Sequence, residues 1–141
     1  MNKIKLILLP IEEDGYHIFA ETLLNGKPAR LLIDTGASRT VFDMERIKNF
    51  LKTKKPRMKK IDKLSTGLGT NTMESHSVIL KEFMIGDTVF EEYHAVVLNM
   101  EHVNQSYRML GYPEIDGVLG SDILHGLKAV IDYGKKEIRW R

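Results

Sequence analysis

The chain alternates short apolar stretches with turn-forming residues, the pattern of β-strands joined by tight turns. Ile4 to Leu9 is apolar and β-prone, and Tyr16 to Leu24 holds a second strand. Asn25-Gly26 stands between two apolar runs and predicts a tight hairpin, because both residues tolerate positive φ. Ala29 to Ile33 is the return strand, and it runs into a small polar loop, Asp34-Thr35-Gly36-Ala37-Ser38. Beyond it, Met44, Ile47, Phe50 and Leu51 lie at helical spacing, with Asp43 placed to cap a short helix. Ser77 to Ile85 and Thr88 to Leu98 predict two strands around Gly86-Asp87. Glu101 to Leu110 predicts a helix, ended before Gly111 and Pro113. Asp116 to Gly120 reads as a short apolar strand and Asp122 to Leu127 as one helical turn. Ala129 to Tyr133 and Glu137 to Trp140 form a final hairpin. A mainly β chain with one or two short helices predicts a small closed β-fold, with residues 1–141 as one domain.

Composition narrows the function classes. The 141 residues are 43% hydrophobic and 28% charged, which is ordinary for a globular domain. No apolar run approaches the roughly 18 residues of a membrane span, so no membrane association is expected. Leu6 to Pro10 is too short for a secretion-signal core, and Glu12, Glu13 and Asp14 follow at once, which points to the cytoplasm. The absence of cysteine excludes disulfides, a thiolate nucleophile and a cysteine zinc site. His17, His76, His94, His102 and His125 lack ligand spacing, so neither a metal nor another cofactor is expected. A net charge of +2 is too balanced to announce a nucleic-acid partner. The local exception is Lys52 to Lys63, which carries seven basic residues and Pro56 and reads as a solvated loop and exposed strand. Beyond Phe50 it has no interleaved aromatics, so nucleic-acid binding is the weaker reading. Asn104-Gln105-Ser106 matches a glycosylation acceptor, which means nothing without a secretory signal.

The candidate chemistry lies in two segments. Leu31-Leu32-Ile33 delivers the carboxylate of Asp34 to a tight turn. Thr35 offers a hydroxyl that can bridge to a partner, and Gly36 lets its backbone N–H approach the carboxylate closely. Such a loop holds an acid firmly and leaves one face open. Taken alone it also fits an ordinary turn in which Asp34 only satisfies backbone amides. Far downstream, Ile115-Asp116-Gly117-Val118-Leu119-Gly120 is an apolar pair between glycines.

Together the two segments resemble the single-domain, retropepsin-like aspartic proteases, in a layout most like the bacterial members. In that family an apolar strand enters Asp-Thr-Gly, and a later apolar-apolar-Gly strand packs across the catalytic loop. The resemblance therefore implies Asp34 as the catalytic residue, supported by Thr35, Gly36, Ala37 and Ser38, with Val118, Leu119 and Gly120 packed against the loop. It also implies a flap over the substrate at Thr66, Gly67, Leu68, Gly69 and Thr70. Ser38 and Ser121 stand where the viral enzymes commonly carry an Asp–Arg salt bridge, so that bracing detail does not transfer. With one Asp-Thr-Gly per chain, the resemblance implies a homodimer acting on a peptide or protein substrate without a cofactor. It further suggests terminal strands, Ile4 to Leu9 and Glu137 to Arg141, that intertwine between subunits with Trp140 as an apolar anchor. Asp116, Asp122 and Asp132 lack the context of Asp34 and read as turn and cap residues. The alternative is a non-catalytic dimeric module of the same fold that binds extended peptides.

Overall fold

The computed structural model describes residues 2–53, 56–61 and 74–141. The chain forms β1 (Asn2–Lys5), β2 (Ile7–Ile11), β3 (Gly15–Leu24), β4 (Lys27–Ile33) and β5 (Val41–Asp43), followed by a 3-10 turn, Arg46–Phe50. After it come β6 (Lys59–Ile61), β7 (Ser75–Ile85), β8 (Thr88–Leu98), α1 (Glu101–Met109) and β9 (Gly117–Leu119). The chain closes with α2 (Ser121–Gly126), β10 (Val130–Asp132) and β11 (Glu137–Trp140). Among the described residues no helix is long and apolar enough to cross a membrane.

Six strands close on themselves in the order β3-β4-β9-β5-β8-β7, the ring being completed by Leu23 opposite Met84 and Leu24 opposite Phe83. β2 and β6 extend the edges of β3 and β7. This is the small closed β-barrel with two short helices that the strand pattern predicts. The hairpin at Asn25-Gly26 turns with φ of 48° and 82°, the left-handed pair that a two-residue hairpin requires. Phe42, Phe83 and Leu80, all inaccessible to solvent, fill the barrel, and Phe42 meets Phe83 edge to face at 5.5 Å.

Three elements differ from the sequence reading. Ile4 to Leu9 is not one strand. Leu6 drops into the core at 1% exposure, its N–H donates to the Lys136 carbonyl at 2.9 Å, and the chain passes there from one sheet to another. The helix after Asp43 is a short 3-10 turn. Asp43 itself ends β5, buried, with Oδ2 accepting from Arg46 N–H and Oδ1 from Met100 N–H, each at 2.9 Å.

The third difference concerns the chain ends. β1 pairs antiparallel with β11 of the same chain, Asn2 opposite Trp140 and Lys5 opposite Glu137, while β10 takes the other edge of β11. With both edges occupied, the C-terminal strand has no ladder left to offer a second subunit. Trp140 is 3% exposed and donates its indole N–H to Thr88 Oγ1 at 2.8 Å, so it is a core residue rather than an intersubunit anchor. Its ring packs on the Gly86 turn, where a Cβ would come within 3.2 Å of it and φ is +55°.

Candidate active site

The Asp34 loop is built by threading. β4 brings the chain to Asp34, β5 carries it away from Val41, and β9 lies between them. β9 runs parallel to β4, with Ile33 opposite Leu119, and antiparallel to β5, with Val41 opposite Val118. Residues 34–40 must therefore arch over the end of β9. Space under the arch is tight. A Cβ on Gly117 would lie 2.5 Å from the Val41 carbonyl oxygen, and one on Gly120 would lie 2.7 Å from that of Arg39 and 2.8 Å from that of Ala37. Val118 and Leu119 are both buried and enter different hydrophobic clusters, as the alternation of a strand requires.

Backbone hydrogen bonds tie the arch to what it crosses. Asp34 N–H donates to the Leu119 carbonyl at 3.0 Å, and Ser121 N–H donates to the Ala37 carbonyl at 2.7 Å. Ala37 N–H closes the turn onto the Asp34 carbonyl at 3.1 Å. Gly36 N–H donates to Asp34 Oδ1 at 3.0 Å, the one side-chain hydrogen bond that Asp34 has among the described residues. Asp34, Thr35, Gly36 and Ser38 are exposed and Ala37 is half-buried. A positioned carboxylate thus faces outward with most of its accepting capacity unused.

Thr40, which the sequence reading did not single out, locks the far end of the arch. It is 1% exposed; its hydroxyl donates to Asp122 Oδ1 at 2.7 Å and accepts from Gly120 N–H at 3.0 Å. Its own N–H donates to Asp122 Oδ2 at 3.0 Å. Asp122, read as a cap, also accepts from Ile123 N–H at 2.9 Å, so it joins α2 to the arch. Local sequence carries no sign of this pairing, because the partners lie 82 residues apart. Thr40→Val keeps the shape but strands the Gly120 donor. Urea unfolding should show a loss of about 1–3 kcal/mol. A change below about 0.5 kcal/mol would mean that the network bears little of the load.

The other two aspartates part company with the turn reading or keep to it. Asp116 is no turn residue: at 5% exposure it accepts from Arg30 N–H at 2.9 Å and from Arg46 Nε at 2.8 Å, extending the β4–β9 ladder. Asp132 is a turn residue, accepting from Lys135 N–H at 2.9 Å. The side-chain amide of Asn104 exchanges two hydrogen bonds with the Ile115 backbone, at 3.1 and 2.7 Å, so the glycosylation-like motif is a core fastening.

Beside Asp34 opens a cleft of about 500 Å³, lined by Tyr16, His17, Leu32, Thr35, Ile131 and Tyr133. Tyr16 and Tyr133 stand out from its rim at 55% and 57% exposure. The His17 ring is fixed by Tyr107, whose hydroxyl lies 2.8 Å from Nδ1. Burial first, and the charge of Asp34 second, push the Tyr107 hydroxyl up from 10.0 to about 12. The folded state therefore favours the neutral phenol. That stabilisation is complete below about pH 10 and is lost as pH rises through about 12. Chemical denaturation from pH 9 to 12 should show this decline, and Tyr107→Phe should remove its share of it. The flap segment Thr66, Gly67, Leu68, Gly69 and Thr70 lies outside the described residues.

A retropepsin-like aspartic protease from Rickettsia conorii has the same fold, with a TM-score of 0.54 and 19% sequence identity over 96% of this chain and 87% of that one. No curated protein matches the chain. Residues 20–123, well over half of the chain, match the family described as aspartyl protease. That span takes in the Asp34 arch and β9 beneath it, and on it the chain belongs to the aspartyl protease family.

Proposed function

We propose that this chain is an aspartic endopeptidase whose working unit is a homodimer, with Asp34 of each subunit facing its symmetry mate. The observation that carries the reading is the outward-facing Asp34 carboxylate, held by one backbone N–H at the mouth of a cleft. One carboxylate cannot act as base and acid toward the same water, and each chain has one such loop. Two carboxylates brought together by a two-fold axis cannot both ionise, so they share a proton. The ionised one takes a proton from a water held between them, while the protonated one polarises the scissile carbonyl. Water attacks, a tetrahedral diol forms, and a proton passes to the leaving amine. Thr35, Gly36, Ala37 and Ser38 support the carboxylate, Val118, Leu119 and Gly120 support the loop from below, and Thr66 to Thr70 serve as the flap. The substrate is a peptide or protein segment.

In this reading the subunits meet at the loop and its surroundings, where a two-fold axis brings the two Asp34 side chains together. Gly36 fits that role, since among the described residues a Cβ there would meet nothing closer than Asp34 Oδ1 at 3.4 Å. The exposed Tyr16 and Tyr133 supply the aromatic surface that interfaces favour. The test is dilution. Specific activity should fall as the protein is diluted, in step with dimer dissociation followed by sedimentation. A monomer with full specific activity at nanomolar concentration would refute the shared site.

A further inference from the structure

A second concavity lies at the opposite end of the barrel. β4 begins at Lys27 and delivers Asp34 beyond its other end, so the two regions are roughly 20 Å apart along the strand. This groove encloses about 720 Å³. Its apolar lining is Phe50, Leu51 and Ile79, and its charged lining is Lys27, Lys52 and Lys81 against one acid, Glu82. The frame is well built. Asn25, in the left-handed turn, donates from Nδ2 to the Phe50 carbonyl and accepts at Oδ1 from Glu82 N–H, each at 3.0 Å. It thereby pins the 3-10 turn to β7. Lys27 Nζ donates to the Asn49 carbonyl at 3.1 Å, which aligns it along the wall.

Two features need an explanation. Ile79 is 57% exposed in the middle of an eleven-residue strand. Around it, among the described residues, none of the three lysines is paired with a carboxylate, although other surface lysines are, such as Lys48 with Glu45. Register extends the same face: Lys59 of β6 lies opposite Ser77, which shares its side of β7 with Ile79 and Lys81. Of the described residues in the basic run of Lys52 to Lys63, Lys52 lines the groove and Lys59 lies beside it.

We propose that this groove is a docking site for an extended peptide segment bearing acidic side chains around an apolar anchor. Cations gathered at a concave, low-dielectric wall attract such a segment, and Ile79 with Leu51 gives its anchor a dry contact. A single nucleic-acid strand fits less well, because Phe50 is only 8% exposed and offers no ring face for a base. The groove stands apart from the Asp34 cleft, and the inference does not rest on the proposed catalysis.

The experiment is fluorescence anisotropy with a fluorescein-labelled peptide of glutamates flanking two leucines. The full chain carries Asp34→Asn so that the probe stays intact. Binding should weaken with salt and fall about tenfold or more in Lys27→Glu/Lys52→Glu/Lys81→Glu. Ile79→Ser should weaken it several-fold, and a lysine-flanked control peptide should not bind. Circular dichroism checks the fold of each variant, and Lys81→Glu alone serves if the triple variant misfolds. Undiminished binding by the charge-reversal variants, indifference to Ile79→Ser, or tighter binding of a labelled oligothymidine through the same lysines would overturn the proposal.

Discussion

Asp34→Asn is expected to lower peptide hydrolysis by about a thousandfold or more while leaving the fold intact. Asp34 is exposed, and the one side-chain hydrogen bond it has among the described residues, from Gly36 N–H to Oδ1, can be kept by the amide oxygen of asparagine. Little stability is therefore at stake. What disappears is the ability to take up and give back a proton. A two-amide site can neither activate the water nor protonate the carbonyl. Mixing gives a sharper form of the same prediction. When wild type is equilibrated with an equal amount of the variant, about a quarter of the dimers keep two carboxylates if pairing is random. Activity should fall below the half expected for independent subunits. Turnover near the wild-type rate by Asp34→Asn would remove Asp34 from the chemistry.

Deleting Ile138 to Arg141 is expected to unfold the protein, not merely to weaken a dimer. The sequence reading placed these residues at a subunit interface, but β11 is the middle strand of its sheet, between β1 and β10. Ile138 and Trp140 are 1% and 3% exposed. Truncating either to alanine costs about 2–5 kcal/mol, and the deletion removes both together with two hydrogen-bonded ladders. A domain with a net stability of about 5–15 kcal/mol does not survive that loss. Thermal unfolding monitored by circular dichroism checks the point: a cooperative transition near that of wild type in the deletion variant would contradict the placement of Trp140. Trp140→Ala should give a smaller drop in the same direction.

What could be read from the residues beforehand was local. Asn25-Gly26 announces its hairpin because the turn chemistry sits in two adjacent positions, and the strands around it alternate visibly. The closed barrel followed from many short strands without long linkers. Resemblance, not periodicity, brought Asp34 and Val118-Leu119-Gly120 together on paper; their adjacency rests on β9 threading between β4 and β5, a long-range event with no local signature. For the same reason Thr40 and Asp122 went unnoticed as a pair, and Asp116 was read as a turn when it is held by Arg46, 70 residues away in the chain. Ile4 to Leu9 misled because a continuous apolar run says nothing of where it changes sheets. Leu6 makes that change by burying itself, and only the finished core reveals it.

The central claim is that two Asp34 carboxylates share one water. Its most direct measurement is their separation in a crystal structure of the dimer with a transition-state-like peptide bound. Oxygen atoms of the two Asp34 side chains are expected within about 3 Å of each other or of one shared ligand hydroxyl. A peptide-bound dimer whose Asp34 residues lie far apart, each at its own cleft, would contradict it.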